Sequence, residues 1–252
     1  MSDILSSLTV DKSVPVPLYY QLKQEIAQLI ANGRLAVGDM LPTETELCDR
    51  LGISRPTVRQ AFGELVSEGY LYRRKGKGTF VASPKIEARF FSKLESFNDE
   101  MRQKGLTPST KVLGLEVTKP EPDINRRLSL PPEEKLIRLE RLRFADEEPV
   151  VHVRTWLPLS LADGLQHEDF QSSSLYTLLE EKCGIWVSRV ARRIEAVNAT
   201  PQEAALLQTE AGAALCLVRT TAYTADDIPV EYSIARYRGD RNRFSIDLFR
   251  QQ

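Results

Sequence analysis

Two helical runs separated by a very short turn constrain this chain more than any other feature. Thr43 and Glu46 form a capping-box pair after Pro42, Leu47 and Leu51 fall on one face, and Gly52 supplies the stop. Ser54 then caps a second run in which Val58, Ala61, Phe62, Leu65 and Val66 recur at helical spacing before Gly69. With only Gly52-Ile53 between them, the two runs read as a helix-turn-helix. A preceding helix is expected from Pro17, as first helical residue, through Leu18, Leu22, Ile26, Leu29 and Ile30 to Gly33.

In the third helix Arg55, Thr57 and Arg59 lie near the start and off the apolar stripe, the end that a recognition helix presents to base edges. An arginine fork matches O6 and N7 of guanine, and Thr57 suits a thymine methyl or a phosphate. Tyr70 to Arg74 and Thr79 to Val81 read as short strands around Lys75-Gly76-Lys77-Gly78, whose glycines permit a hairpin with a basic tip, a wing. The formal net charge of the chain is only -1, but between Arg50 and Ala82 seven basic residues face two acidic ones, a local net of +5. Charge gathered in this way is an electrostatic footprint for nucleic acid.

Leu41-Pro42-Thr43-Glu44, Gly52-Ile53-Ser54-Arg55-Pro56-Thr57-Val58-Arg59-Gln60-Ala61, Gly69-Tyr70-Leu71 and Lys75-Gly76-Lys77-Gly78-Thr79-Phe80-Val81 together resemble the GntR DNA-binding domain. The resemblance implies that Arg55, Thr57 and Arg59 read the major groove, that Lys75, Gly76, Lys77 and Gly78 enter the minor groove, and that Thr43 and Ser54 touch phosphates. Thr45 departs from the pattern, because many members carry a DNA-contacting arginine there.

Beyond residues 1–82, a connector is expected over 83–108, with a short helix from Phe97 to Lys104. Strand signals follow at Lys111 to Thr118, Leu136 to Ala145, Pro149 to Leu157, Val187 to Val197, Leu215 to Thr224, Val230 to Tyr237 and Phe244 to Leu248. The fold class is therefore α+β, a winged helix-turn-helix followed by an antiparallel-sheet domain over 109–252. Asp146-Glu147-Glu148-Pro149-Val150 echoes Asp226-Asp227-Ile228-Pro229-Val230. Duplication of a helix-hairpin unit and shared turn chemistry both account for the echo.

Ser96-Phe97, Arg141-Leu142-Arg143, Phe170 to Tyr176, Pro229-Val230-Glu231 and Tyr237 to Arg241 resemble the UTRA ligand-sensing domain of the histidine-utilisation-repressor (HutC) subfamily. That resemblance implies a chorismate-lyase-like fold, a homodimer on a near-palindromic operator, and an effector pocket in each subunit using residues from about 88 onward. The residues themselves favour an anion. Arg141 and Arg143 are two apart on a strand and share a face, where paired guanidinium groups fork a phosphate or carboxylate. Ser96 with Phe97, and Ser173 or Ser174, head helices whose free N–H groups suit an anion. Glu231 and Tyr237 share parity and suit hydroxyl or amine groups. The bland alternative pairs Arg141 and Arg143 with Glu140, Glu147 or Glu148 at the surface. His152, Arg154 and Trp156 share a strand face and are secondary candidates. Members that sense amino-sugar phosphates often place a glutamate after the Pro-Val turn, and Val151-His152-Val153-Arg154 has none, so a different polar ligand end is expected.

Other chemistries find little footing. Cys48, Cys183 and Cys216 have no CxxC spacing and lie far from His152 and His167, so no metal or cofactor is expected. No nucleophile–base pair or phosphate loop is present, so no catalytic residue is assigned. An enzyme on the lyase-like fold and a sheet domain that only dimerises are the competing readings. Met1 to Ser13 lacks a signal-peptide profile and no run of about 18 apolar residues occurs, so a cytoplasmic location is expected.

Overall fold

The computed structural model describes residues 7–74, 76–82, 85–88 and 94–246. The chain divides into two compact units, Met1–Lys85 and Ile86–Gln252. The segment expected as a connector thus gives its later part to the second unit, while Lys75, Ser83-Pro84, Phe90 and Phe91 lie outside the described residues.

In the first unit α1 (Leu18–Ala31), α2 (Glu44–Leu51) and α3 (Arg55–Ser67) precede a hairpin of β1 (Leu71–Arg74) and β2 (Gly78–Val81). Pro17 is the residue that caps α1 rather than its first turn. The apolar stripes converge as the spacing requires. Leu22 and Ile26 of α1, Leu47 of α2, Val58, Phe62 and Leu65 of α3, and Leu71 and Val81 of the hairpin form one core. Leu8, well upstream of α1, closes it.

The second unit is built on a six-stranded antiparallel sheet of β4 (Pro108–Thr118), β5 (Leu136–Ala145), β6 (Glu148–Pro158), β7 (Arg189–Asn198), β8 (Ala214–Tyr223) and β9 (Pro229–Arg238), in the order β4-β5-β6-β9-β8-β7. Four helices belong to it: α4 (Phe97–Gln103), α5 (Pro122–Arg127), α7 (Leu175–Cys183) and α8 (Pro201–Leu207), while the four-residue α6 (Leu159–Ala162) and a 3-10 turn (Leu165–His167) link the halves. Each half runs helix, strand, helix, strand, strand, and the halves meet where β6 pairs with β9. The echo between residues 146–150 and 226–230 therefore sits in corresponding hairpins of two matching halves. Duplication accounts for this topology, and shared turn chemistry alone does not, because the turns differ: Asp146-Glu147 is a two-residue turn with both φ positive, whereas the second hairpin loops from Thr224 to Ile228 with only Asp227 in that region.

Helices cover both faces. On one, α7 packs Leu175, Leu178 and Leu179 against Ile137, Leu139 and Leu157, and Met101 of α4 packs against Val151, Val153 and Ala235. On the other, Ile124 of α5 meets Leu136, Trp156 and Tyr232, while Ala204 and Leu207 of α8 meet Leu142 and Leu215. Two short strands were displaced or unforeseen in the sequence. The last described strand, β10, is Asn242–Phe244, pairing in parallel with β3 (Ile86–Ala88); of the strand expected over 244–248, Ser245 and Ile246 lie beyond its end and Asp247 and Leu248 lie outside the described residues. Three residues carry no alternation, so non-local pairing alone defines them.

The corner after β9 is held by charge. The Arg238 guanidinium donates to Asp240, to the Pro149 carbonyl at 3.2 Å and to the Leu207 carbonyl at 3.2 Å, and it lies 3.1 Å from Glu148. A Cβ on Gly239 would stand 2.8 Å from the Ala214 carbonyl oxygen, so only glycine fits where this corner crosses β8. The run Tyr237 to Arg241 is thus largely architectural, with Tyr237 alone turned to the opposite face. Among the described residues no helix is long and apolar enough to cross a membrane.

On the face away from α4 and α7, buried His152 places Nε2 2.7 Å from Glu140 Oε1, and Arg154 Nε donates to the same oxygen at 3.0 Å. Burial holds His152 below its ordinary range against the pull of Glu140. Burial pushes Glu140 up, but the hydrogen bonds from His152 and Arg154 prevail and keep it below the usual carboxylate range. The unfolded chain protonates His152 near its ordinary value of about 6.5 while the folded chain resists. Stability is therefore present above that pH and lost as pH falls through it, and the depressed Glu140 adds a further loss at lower pH. Both tryptophans, Trp156 and Trp186, belong to the second unit. Denaturation followed by tryptophan fluorescence is expected to show a lower midpoint at pH 5 than at pH 7, with a shallower pH slope in His152→Gln. An unchanged slope in that variant refutes the assignment.

Candidate functional site

In the first unit the buried stripe of α3 leaves Arg55 and Arg59, four residues apart, exposed on one side of its amino-terminal turns. Ser54 caps the helix: its hydroxyl accepts from Thr57 N at 3.3 Å and sits 2.8 Å from the Thr57 hydroxyl. At the start of α2, Thr43 and Glu46 complete the capping box, with Glu46 N donating to Thr43 Oγ1 at 3.3 Å and Thr43 N to Glu46 Oε2 at 2.7 Å. The hydroxyls of Thr43, Ser54 and Thr57 are thus already used by the helix ends they define. These two helix starts carry the partial positive charge that favours phosphate.

Thr45 has a different use from an arginine at its position. Its hydroxyl accepts a 2.8 Å hydrogen bond from Arg55 NH2, which steadies one nitrogen of the exposed fork. Lys12, outside every motif, donates from Nζ to the Gly52 carbonyl at 2.8 Å and so ties the upstream arm to the turn between α2 and α3. Neither contact has a local sequence signal, since one spans 10 residues and the other 40. The hairpin pairs Leu71 with Val81 and Arg74 with Gly78, and Tyr72 stacks on Phe80 at 5.5 Å. Gly76, Lys77 and Gly78 are exposed at the tip, with both glycines at positive φ, and Lys75 lies outside the described residues.

In the second unit, the sheet face under α4 and α7 holds a cavity of about 150 Å³, room for about ten waters or one small metabolite. Arg141 and Arg143 of β5 and Glu231 and Tyr237 of β9 line it. Ser96 and Phe97 enter at the start of α4 and Ser174 at the start of α7. Ser173 is not part of the lining: Ser174 is the residue that caps α7, and the extended backbone there carries its neighbour away. The two capping serines hold corresponding places in the two halves of the unit. Ser96 Oγ accepts from Asp99 N at 3.1 Å, and Ser174 Oγ accepts from Thr177 N at 3.2 Å.

The cavity confines charge. Arg141 is only 3% exposed, and its guanidinium lies 5.9 Å from the Phe170 ring centre, while that of Arg143 lies 5.1 Å from the Phe97 ring centre. Burial lowers the affinity of both for their protons, and repulsion from Arg143 adds to the effect at Arg141 while Glu231 opposes it. Burial likewise pushes Tyr237 up to about 12, and burial together with the Glu231 charge raises Tyr176, which hydrogen-bonds to Glu231. Nε of Arg141, Nε of Arg143 and Oε2 of Glu231 are buried without a hydrogen-bond partner. Buried polar atoms are nearly always satisfied, so these three, gathered in the lining of one cavity, distinguish it from the rest of the second unit.

The surface ion pairs weighed for Arg141 and Arg143 are not formed. Glu140 is taken by His152 and Arg154, and Glu148 by Arg238 and Arg241. His152, Arg154 and Trp156 are also not in the cavity. Register pairs Arg143 with Val151 and Arg141 with Val153, so the even-numbered residues of β6 face the other way, where Trp156 Nε1 donates to Glu121 at 2.9 Å. Thr155, Thr220, Ser233 and Arg192, which the motifs did not mark, do line the cavity. Strand parity with Glu231 and Val153 was the available signal. Among the described residues no group of three or more His, Cys, Asp or Glu is placed to hold a metal ion.

These two sites correspond to two family matches. Residues 18–81 match the model described as bacterial regulatory proteins, gntR family, and residues 103–243 match the UTRA domain. The chain is 35% identical to the HTH-type transcriptional repressor NagR of Bacillus subtilis, over 94% of this chain and 97% of that protein. It is 29% identical to the mannosyl-D-glycerate transport/metabolism system repressor MngR of Escherichia coli, over 91% and 95%. The crystal structure of PhnF from Mycobacterium smegmatis superposes with a TM-score of 0.66 at 27% identity, covering 91% of this chain and 99% of that one. With recognition helix, wing and UTRA sheet all in place, the chain belongs to the gntR family of bacterial transcription regulators and is a DNA-binding repressor of the GntR–UTRA type, not an enzyme.

Proposed function

We propose that the chain represses transcription as a cytoplasmic homodimer on a near-palindromic operator, and that a small phosphorylated or carboxylated metabolite in the UTRA cavity changes its DNA affinity. The observation that carries the effector reading is the buried Arg141 beside the half-buried Arg143, each with an unpartnered Nε and both lining one cavity. Two desolvated cations side by side are unfavourable until an anion accepts from both, and the serine-capped starts of α4 and α7 add backbone donors. A relative named for mannosyl-D-glycerate, a carboxylate, is in keeping with such a ligand.

For DNA, Arg55 and Arg59 read guanine edges, Thr57 contacts a thymine methyl or phosphate, and the N–H groups at Thr43 and Ser54 hold phosphates. Lys75, Gly76, Lys77 and Gly78 follow the minor groove, where lysines act as mobile point charges. One three-helix module covers a half-site, hence the dimer. An effector acts only through unequal affinity for two pre-existing dimer arrangements, with couplings of about 1 to 3 kcal/mol. Residues 83–108 are the covalent route between the sites, because Ser96 and Phe97 belong to the cavity and the same segment leaves the wing.

Arg55→Ala or Arg59→Ala is expected to cost about 1 to 3 kcal/mol in operator binding and to relax base preference at one position. Thr45→Val, which removes the acceptor for Arg55, is expected to weaken that same preference less, with an unchanged salt slope. Equal binding of matched and mismatched operators by parent and variants, in a titration at fixed salt, contradicts this interface. Sedimentation of the protein–operator complex is expected to give two chains per site, and one chain per site removes the dimer.

Arg143→Ala is expected to abolish the response of operator binding to phosphorylated sugars and small carboxylates while sparing DNA affinity without them. A full response in that variant places the effector elsewhere. Loss of DNA binding as well assigns the arginines to holding the fold.

A further inference from the structure

The arm upstream of α1 lies ahead of the residues that match the gntR family, which begin at Leu18, yet it is built into the first unit. Leu8 is buried in the core and Val10 packs against it. Gln21 of α1 then clamps the arm backbone: its Oε1 accepts from Asp11 N at 2.8 Å, and its Nε2 donates to the Asp11 and Val16 carbonyls at 2.9 and 2.8 Å. Ser13 closes the bend by donating from its N and its hydroxyl to Asp11 Oδ1 at 2.8 and 2.6 Å. The chain is thus fixed on both sides of Lys12, and the neighbouring carboxylate is already occupied.

Lys12 itself is exposed, and its ammonium donates to the Gly52 carbonyl at 2.8 Å. Gly52, also exposed, ends α2 in the left-handed region, and the turn runs on through buried Ile53 to Ser54, the cap of α3. Among the described residues no carboxylate forms an ion pair with Lys12. An ammonium has donors to spare beyond the one this carbonyl takes. For stability the contact does little, since an exposed hydrogen bond to a neutral carbonyl gains little against the rotamer freedom that a lysine loses. Its electrostatic effect is larger. A bare carbonyl at this turn repels a phosphate alongside it, and Lys12 reverses that sign.

We propose that Lys12 is a DNA contact, bridging the α2–α3 turn to a phosphate of the operator, and that the arm is therefore part of the DNA interface. This rests on the reading that the amino-terminal end of α3 enters the major groove. A helix entering by that end has the sugar-phosphate strands beside its first turn, next to which Gly52 and Lys12 stand. A lysine suits a phosphate rather than a base edge, being a mobile point charge without a planar fork. Because Leu8 and Gln21 order the arm when the protein folds, little freedom is left to lose on binding DNA. The contact sets the position of the first unit on the duplex and carries no sequence information.

The test is fluorescence anisotropy of the full chain with two labelled duplexes of equal length, one selected from a randomised pool by the parent protein and one scrambled. Titrations span a range of salt and are run well below the melting midpoint of every variant. Lys12→Met is expected to weaken binding to both duplexes by a similar factor, about fivefold per bound chain at physiological salt, and to lower the slope of log affinity against log salt by about one per chain. Lys12→Arg is expected to keep the parental slope. A parental slope in Lys12→Met refutes the phosphate contact, and reduced affinity at that slope leaves Lys12 only holding the turn. A loss confined to the selected duplex refutes it equally. Arg55→Ala is expected to lose preference for the selected duplex over the scrambled one. If it keeps that preference, the reading of α3 falls and takes the proposed bridge with it, whereas failure of Lys12→Met beside a responsive Arg55→Ala removes only the bridge.

Discussion

The pairing of β6 with β9 is the contact on which the second unit depends. It joins Val151 to Tyr237 and Trp156 to Tyr232, positions some eighty residues apart, and nothing local in the chain enforces it. Through it Arg141 and Arg143, contributed by the first half, come to share a surface with Glu231 and Tyr237 from the second. The corner at Arg238 and Gly239 reinforces the join, since the guanidinium reaches backbone carbonyls of both halves and Asn242 Nδ2 donates to the Val150 and Arg238 carbonyls. A cavity assembled at such a seam draws its lining from both halves, Arg141, Arg143 and Thr155 from the first and Glu231, Tyr237 and Arg192 from the second.

Duplication explains how a small sheet supports both a site and a core. Two matching sets of strands and helices give a sheet clothed on both faces, α4 and α7 on one, α5 and α8 on the other. Strand alternation then sorts residues by purpose. One face of β6 gives Val151, Val153 and Thr155 to the cavity; the other gives His152, Arg154 and Trp156 to an ion-paired, aromatic layer. Shifting the register by one residue would exchange the two sets.

The DNA-binding unit works by the opposite economy. Its core is built mainly from apolar stripes that the helical period aligns, with Leu8 and the hairpin residues Leu71 and Val81 closing it, and Arg55 and Arg59 are left outside it. Capping hydroxyls fix the helix starts, and Thr45 steadies Arg55 across the gap between α2 and α3. Where the family pattern has an arginine, this chain has a short acceptor that orients a neighbouring one.

The sequence by itself determined the three helices of the first unit with the caps at Thr43 and Ser54, the starts of α4 and α7, the hairpin and the strand parity of Arg141 with Arg143, because each rests on periods of 3.6 or 2 or on a cap a few residues away, whereas α5, α6 and α8 were not located. It also indicated seven of the residues that line the cavity. It placed Ser173 beside Ser174 without separating them, and it left His152 and Trp156 as candidates, since one strand read alone does not say which of its faces turns inward. The roles of Lys12 and Thr45, the β3–β10 pair and the place of Thr155, Ser233 and Thr220 in the cavity lining were decided by tertiary structure. Each joins residues between 10 and more than 150 positions apart, and only the folded register, fixed by burial of the sheet faces, brings them into contact.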